Sequence, residues 1–227
     1  MRLTGRDVTL IKDLALSHVL SRDQIIELDY FSSITRANTR IRDLRSLGLV
    51  KRIGTPFYSQ SLYGIGPKAI PILGDRIGRI VSSRSDSPRF LQHALSVTNL
   101  RIELTRRGAD QWKFEQQLRA TFQHGTATYE VRPDGLVVKE GRALALEVDL
   151  GHVAPAKFAE KLKAFVAFTR SGSSMSLWGY PDFSILVVTT GKLRASRLTR
   201  LAATYRDVAF ECRTFESLGI PSVGGWS

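Results

Sequence analysis

Apolar residues recur at helical spacing through most of the first third of the chain. Val8, Ile11, Leu14 and Ala15 form one stripe within Thr4 to Leu16. Ile25, Ile26 and Leu28 form a second behind Ser21, a residue type suited to an N-cap. A third stripe, Ile34, Ala37, Ile41, Leu44 and Leu47, follows Ser32 and Ser33 and stops at Gly48, where a left-handed C-cap is expected. The pattern then shortens. Leu49 to Ile53 predicts a short strand, Gly54-Thr55-Pro56 a turn, and Tyr58 to Ile65 a returning strand.

Val81-Ser82-Ser83-Arg84-Ser85-Asp86-Ser87-Pro88 breaks the pattern: it is Ser-rich, aperiodic and ends in Pro, as a linker does. Beyond it the period alternates. A long amphipathic helix is predicted from about Arg89 to Arg107, strands over 131–138 and 143–149, and a helix from about Ala156 to Arg170. A buried strand (Phe183 to Thr190), a basic helix (Leu193 to Tyr205) and a last strand (Val208 to Cys212) follow. That alternation predicts an α/β domain. The organisation expected is a helical domain with a β-hairpin over 1–80, a linker over 81–89, an α/β domain over 90–218 and a flexible tail over 219–227. Trp112 and Trp178 are expected to be core or rim aromatics.

Charge points to the class of partner. Thirty-three Lys and Arg against twenty-one Asp and Glu give +12 and a pI near 10.3, an excess that favours polyanions, nucleic acid first. Residues 1–90 hold fifteen basic and eight acidic residues (+7), residues 91–227 eighteen and thirteen (+5), so the excess is denser in the smaller domain. A hydrophobic content of 43% excludes wholesale disorder. The one cysteine, Cys212, forms no internal disulfide, and His18, His93, His124 and His152 have no zinc-ligand spacing. No apolar run is long enough to span a membrane and no secretory signal is visible, so a cytoplasmic protein without a membrane partner is expected.

On a wheel, the third helix turns Thr35, Arg36, Thr39, Arg42, Asp43 and Ser46 away from its apolar side, flanked by Asn38 and Arg45. Hydroxyl, amide and guanidinium groups read base edges and hold phosphates. Lys51 and Arg52 make the following hairpin basic. Ser33-Ile34-Thr35-Arg36, then Leu44-Arg45-Ser46-Leu47-Gly48-Leu49-Val50-Lys51-Arg52, resembles the winged helix-turn-helix regulators. That resemblance implies a recognition helix and a wing, with double-stranded DNA as partner and Thr35, Arg36, Asn38, Thr39, Arg42, Arg45, Lys51 and Arg52 as its contacts.

In the second domain, Glu147 and Asp149 alternate on one face of a strand, and Asp134 precedes a strand that a hairpin through Lys139-Glu140-Gly141 lays alongside. Three carboxylates that converge repel one another and call for a cation of the magnesium type. The competing account is a network in which Glu147 and Asp149 pair with Arg132, Lys139 or Lys161. Pro133-Asp134 followed by Glu147-Val148-Asp149 resembles the PD-(D/E)-x-K nucleases. The resemblance implies magnesium or manganese on Asp134, Glu147 and Asp149. The lysine of that pattern is replaced here by Asp149, and its role falls to Lys161 or Lys157 on the next helix. Glu103 resembles an additional acid of some members.

The whole series resembles the replication-relaxation family of bacterial plasmids and mobile elements: the winged helix, Phe90-Leu91-Gln92-His93-Ala94-Leu95, Trp112-x-x-Glu115, Pro133-Asp134-Gly135 and Glu147-Val148-Asp149. It implies an α+β or α/β protein, a winged helix-turn-helix followed by a restriction-endonuclease-like domain. It also implies a role in replication, mobilisation or transcriptional control, with replication or relaxosome proteins and a second copy of the chain as further partners. The nuclease-like domain is expected to be degenerate rather than enzymatic. A metal-dependent endonuclease and a ligand-sensing transcription factor are the open alternatives.

Overall fold

The computed structural model describes residues 2–56, 58–74, 87–221 and 223. It is a mixed α/β protein of two compact units, Met1–Ile102 with Val223–Ser227, and Glu103–Ser222. The expected linker up to Asp86, and the tail at Ser222 and Gly224 to Ser227, lie outside the described residues.

Three helices open the first unit: α1 (Gly5–Leu16), α2 (Arg22–Glu27) and α3 (Ile34–Ser46). Each is started by a side chain from the sequence pattern. Thr4 and Asp7 cap α1 reciprocally, Ser21 and Gln24 do the same for α2, and Ser33 accepts the Arg36 N–H of α3. Leu10, Ile11, Leu14, Ile25, Ala37, Ile41 and Leu44 meet in one buried cluster. The expected stripe of α3 is wrong at one position: Ile34, the first helical residue, is 56% exposed. It precedes the turn that first packs on the core.

A three-stranded antiparallel sheet completes this layer in the order β1 (Leu20–Ser21), β3 (Leu62–Ile65), β2 (Val50–Ile53). The returning strand is shorter than expected. Its pairing begins at Leu62 opposite Ile53 and ends at Ile65 opposite Val50. Gly66 then crosses the Gly48–Leu49 peptide and donates its N–H to the Leu49 carbonyl at 2.8 Å. A Cβ there would stand 2.2 Å from the Gly48 carbonyl oxygen, so only glycine fits without a backbone shift. A 3-10 turn (Pro67–Ala69) leads into the short α4 (Ile70–Leu73).

The long helix α5 (Pro88–Arg106) corrects the expected domain limits. The sequence pattern places it whole in the second domain, but up to Ile102 it belongs to the first unit. The reason is packing. Leu91, Ala94 and Leu95 share a cluster with Val19, Ile53 and Leu62, and Gln24 donates to the Leu95 carbonyl (2.8 Å) and to Asn99 Oδ1 (2.6 Å). Arg101 reaches Asp13, a buried carboxylate of α1 that also accepts from Ser17 and Tyr30 hydroxyls. Burial, then the Asp13 charge, pushes the Tyr30 hydroxyl well above the usual tyrosine range, so it stays a donor.

The second unit is built on a five-stranded sheet in the order β10-β9-β8-β7-β4. Its strands are β4 (Asp110–Phe114), β7 (Gly135–Lys139), β8 (Arg142–Asp149), β9 (Phe183–Thr189) and β10 (Ala209–Thr214). β4, β7 and β8 pair antiparallel; β8, β9 and β10 run parallel. Glu140 and Gly141, both at positive φ, make the tight β7–β8 turn the sequence suggested. Between β4 and β7 the chain inserts a short helix, α6 (Glu115–Leu118), and a separate hairpin of β5 (Ala120–His124) and β6 (Ala127–Val131).

Helix α7 (Pro155–Arg170) links β8 to β9, and α8 (Lys192–Ala202) links β9 to β10. Phe158, Leu162, Phe165 and Phe168 of α7 join Ala143, Ala145, Ile185 and Val187 of the sheet, together with Leu198 and Ala202 of α8. Trp178 is a core aromatic, 4% exposed, whose ring meets Phe168 and Phe183 edge-on and whose N–H donates to the Leu118 carbonyl. Trp112 is half-buried, its ring set against the space a Gly135 Cβ would fill.

Candidate nucleic-acid interface and acidic cluster

Helix α3 buries Ala37, Ile41 and Leu44, which fixes what it exposes. Thr35, Arg36, Asn38, Thr39, Arg42, Arg45 and Ser46 are exposed; Asp43 is half-buried and pairs with Arg40. The exposed positions therefore carry three arginines and no acid. On β2 the burial pattern exposes Lys51 and Arg52 between buried Val50 and Ile53. A groove of about 350 Å³ runs beside the start of α3, lined by Thr35, Arg36 and Thr39 and by Thr4, Arg6 and Phe31.

One residue of α3 that the sequence did not single out holds this surface in position. Arg40 turns inward and bonds Asp7 on α1, with Nε 2.8 Å from Oδ1, while Nη2 reaches Oδ2. Burial of Asp7 works against its charge. The Arg40 guanidinium and the Thr4 backbone and hydroxyl outweigh it and bring the carboxyl from 3.8 down to about 2. The two residues lie 33 positions apart, so no local spacing reveals the pair.

The carboxylates of the second unit divide between two cations, with Glu147 and Asp134 acting on Lys161 and Asp149 on Arg194. Among the described residues, no group of three or more His, Cys, Asp or Glu is placed to hold a metal ion. Each acid has its own partner. Asp134 precedes β7 and accepts the Val148 N–H at 2.7 Å. Glu147, 4% exposed, pairs through Oε2 with Lys161 of α7. Asp149, 3% exposed, takes Arg194 Nε on Oδ2 at 2.7 Å and Nη2 on Oδ1 at 3.3 Å. The Thr189 hydroxyl (3.1 Å) and the Gly151 N–H (3.1 Å) use its remaining acceptor sites. Of the acids expected to converge, Glu147 and Asp149 are thus each held in an ion pair, as in the network the sequence also allowed.

Lys161 is the cation of the expected region that reaches the acids. Burial works against its charge, but Glu147, then Asp134 and Glu115, hold the ammonium above the usual lysine range. Lys157, one turn earlier, is exposed. Glu103 bonds Arg107 at 2.7 Å and lies 4.0 Å from Arg106, both on its own chain turn. Arg132 pairs with Glu115 rather than with Glu147 or Asp149. Arg194, in the first turn of α8, is the cation that holds Asp149. Its Nη2 also donates to the Val153 carbonyl at 2.5 Å, which ties the start of α8 to the loop after β8.

Comparison with known proteins adds three findings. The family model for replication-relaxation matches residues 11–177. No curated protein matches the chain. A solved structure, protein VC1899 from Vibrio cholerae, aligns at 10% identity and a TM-score of 0.36, over 100% of this chain and 59% of that one.

The paired acids can be tested by substitution. Asp7→Asn is expected to lower stability at neutral pH by roughly 1–3 kcal/mol, the worth of hydrogen bonds to a charged partner. Because the folded carboxyl is depressed, its contribution is present above 3.8 and fades as pH falls towards about 2. Denaturant titrations of wild type and variant, followed by circular dichroism at pH 7 and at steps from 4 to 2, should show the gap closing. Arg194→Met strands Asp149 and should cost about 3 kcal/mol, whereas the Arg194→Met, Asp149→Leu double variant should recover most of it. A double-mutant cycle by thermal unfolding measures the coupling; additive losses would contradict the pairing.

Proposed function

The chain belongs to the replication-relaxation family, and we propose that it is a double-stranded DNA-binding protein of plasmid or mobile-element replication, with α3 as its reading helix. The family supports a replication-related role. The finer reading rests on one observation: every exposed side chain of α3 beyond its first residue is a hydroxyl, an amide or an arginine, and the next strand exposes Lys51 and Arg52. Three helices followed by a hairpin are the layout of a winged helix-turn-helix. The arginines and amide of α3 suit base edges in a major groove, and the hairpin cations suit the backbone. Thr35, Arg36 and Thr39 face the groove beside the helix start and would contact the flanking phosphates.

For the second unit we propose a nuclease-like scaffold that acts without cleavage. Antiparallel strands β4, β7 and β8, then α7 and the parallel β9, fit the α/β layout that the PD-(D/E)-x-K resemblance implies, which supports the scaffold. Asp149 committed to Arg194, Thr189 and Gly151 argues against the chemistry. An endonuclease would need Asp134 and Glu147 to hold the metal and Lys161 to leave Glu147 and orient the attacking water.

Arg42→Ala should weaken binding to the preferred sequence by ~1–3 kcal/mol and relax discrimination at one base position. Fluorescence anisotropy on a selected duplex measures this, and unchanged affinity at moderate salt would remove α3 as the reader. Supercoiled plasmid incubated with magnesium or manganese should stay intact with the wild type. Nicking that disappears in an Asp134→Ala, Glu147→Ala variant would overturn the non-catalytic reading.

A further inference from the structure

The outer face of α8 carries charge of one sign. Lys192, Ser196, Arg197 and Arg200 are exposed there, with Leu193 among them at 69% exposure. Leu198 and Ala202 are buried on the inner side, and Arg194 is turned to Asp149, so the direction of the outer face is fixed by packing and by an ion pair. No acidic residue occurs from Lys192 through Arg206. The next acid, Asp207, is taken bidentately by Arg170. Among the described residues no ion pair engages Lys192, Arg197 or Arg200.

This pattern does nothing for the helix itself. A face made only for solubility alternates acids and bases, which attract at i,i+4. Here Arg197 and Arg200 are like charges at i,i+3, which repel. Lys192 occupies the first turn, where the macrodipole disfavours a cation, and Gly191 supplies no side-chain cap. At 100° and 1.5 Å per residue the three cations fall within an arc of about 140° and a length of about 12 Å. One strand of duplex DNA presents roughly three phosphates over that length. Ser196 lies within the same arc as a neutral donor. A single Leu193 is too little apolar surface for a helix that inserts into a lipid interface.

We propose that this face of α8 is a second contact surface for double-stranded DNA, engaged through the phosphate backbone by Lys192, Arg197 and Arg200 without regard to sequence. The proposal rests on duplex DNA being the ligand of the chain, but not on α3 being its reader.

The test uses the full chain and a triple variant, Lys192→Gln, Arg197→Gln and Arg200→Gln, with affinity for a duplex of arbitrary sequence measured between 50 and 200 mM salt. The slope of log K against log salt should fall by ~0.9 for each phosphate no longer neutralised, so by roughly 2–3 in the triple variant. The weakening should be equal on a preferred and an arbitrary duplex, and the single variant Arg197→Gln should show about a third of it. An unchanged slope overturns the proposal, as does a triple variant that no longer binds anionic phospholipid vesicles while its duplex binding stays intact. Should the wild type fail to bind duplex DNA, this proposal and the reading of α3 fall together. If Arg42→Ala leaves specific binding intact while the triple variant lowers the slope, only the reading of α3 fails.

Discussion

A carboxylate removed from water must be answered by a cation or by several donors, and this constraint organises both units. Four ionisable acids are buried among the described residues: Asp7, Asp13, Glu147 and Asp149. Each is met by a basic side chain from another element, Asp7 by Arg40, Asp13 by Arg101, Glu147 by Lys161 and Asp149 by Arg194. Such pairs add little net stability over well-packed apolar residues, but losing one partner is costly, since it leaves a desolvated charge. Their consequence is therefore geometric. They set how α3 sits on α1, where α5 docks on α1, and how α7 and α8 meet the end of β8.

The same constraint sorts the arginines. On α3, Arg40 is turned inward to Asp7, and Arg36, Arg42 and Arg45 remain outside. On α8, Arg194 is turned inward to Asp149, and Lys192, Arg197 and Arg200 remain outside. In each helix one cation serves orientation, and because it is held by a carboxylate the others point in a defined direction. A basic helix anchored only by apolar packing would have more freedom to roll.

Much of the fold was legible because local rules produce it. The caps Ser21 and Ser33, the stop at Gly48 and the turn at Glu140-Gly141 depend on residues a few positions apart, and the helices and strands they bound follow the periodicity. The exposed polar face of α3 was legible for the same reason, since three buried positions determine the remainder of a helix. The stretch between β4 and β7 was not: a four-residue helix is followed by two short, partly exposed strands, which leaves no sustained period. Partners were the least legible. Arg40, Arg101 and Arg194 find their acids 33, 88 and 45 residues away, and sequence spacing holds no trace of such contacts. The docking of α5 on the first unit was hidden with them.

The departure at Asp149 is best understood through local charge. The nuclease pattern that Pro133-Asp134 and Glu147 resemble has two acids and one lysine, a net charge of −1. Here Asp134, Glu147 and Asp149 stand with Lys161 and Arg194, three acids and two cations, again −1. An acid in place of the lysine on β8 is thus balanced from the helices, with Lys161 on Glu147 and Arg194 on Asp149. Charge balance and burial are both preserved by such an exchange. The strand keeps its place in the sheet, and α7 and α8 their seats on it, because Glu147 and Asp149 fasten one helix each to β8.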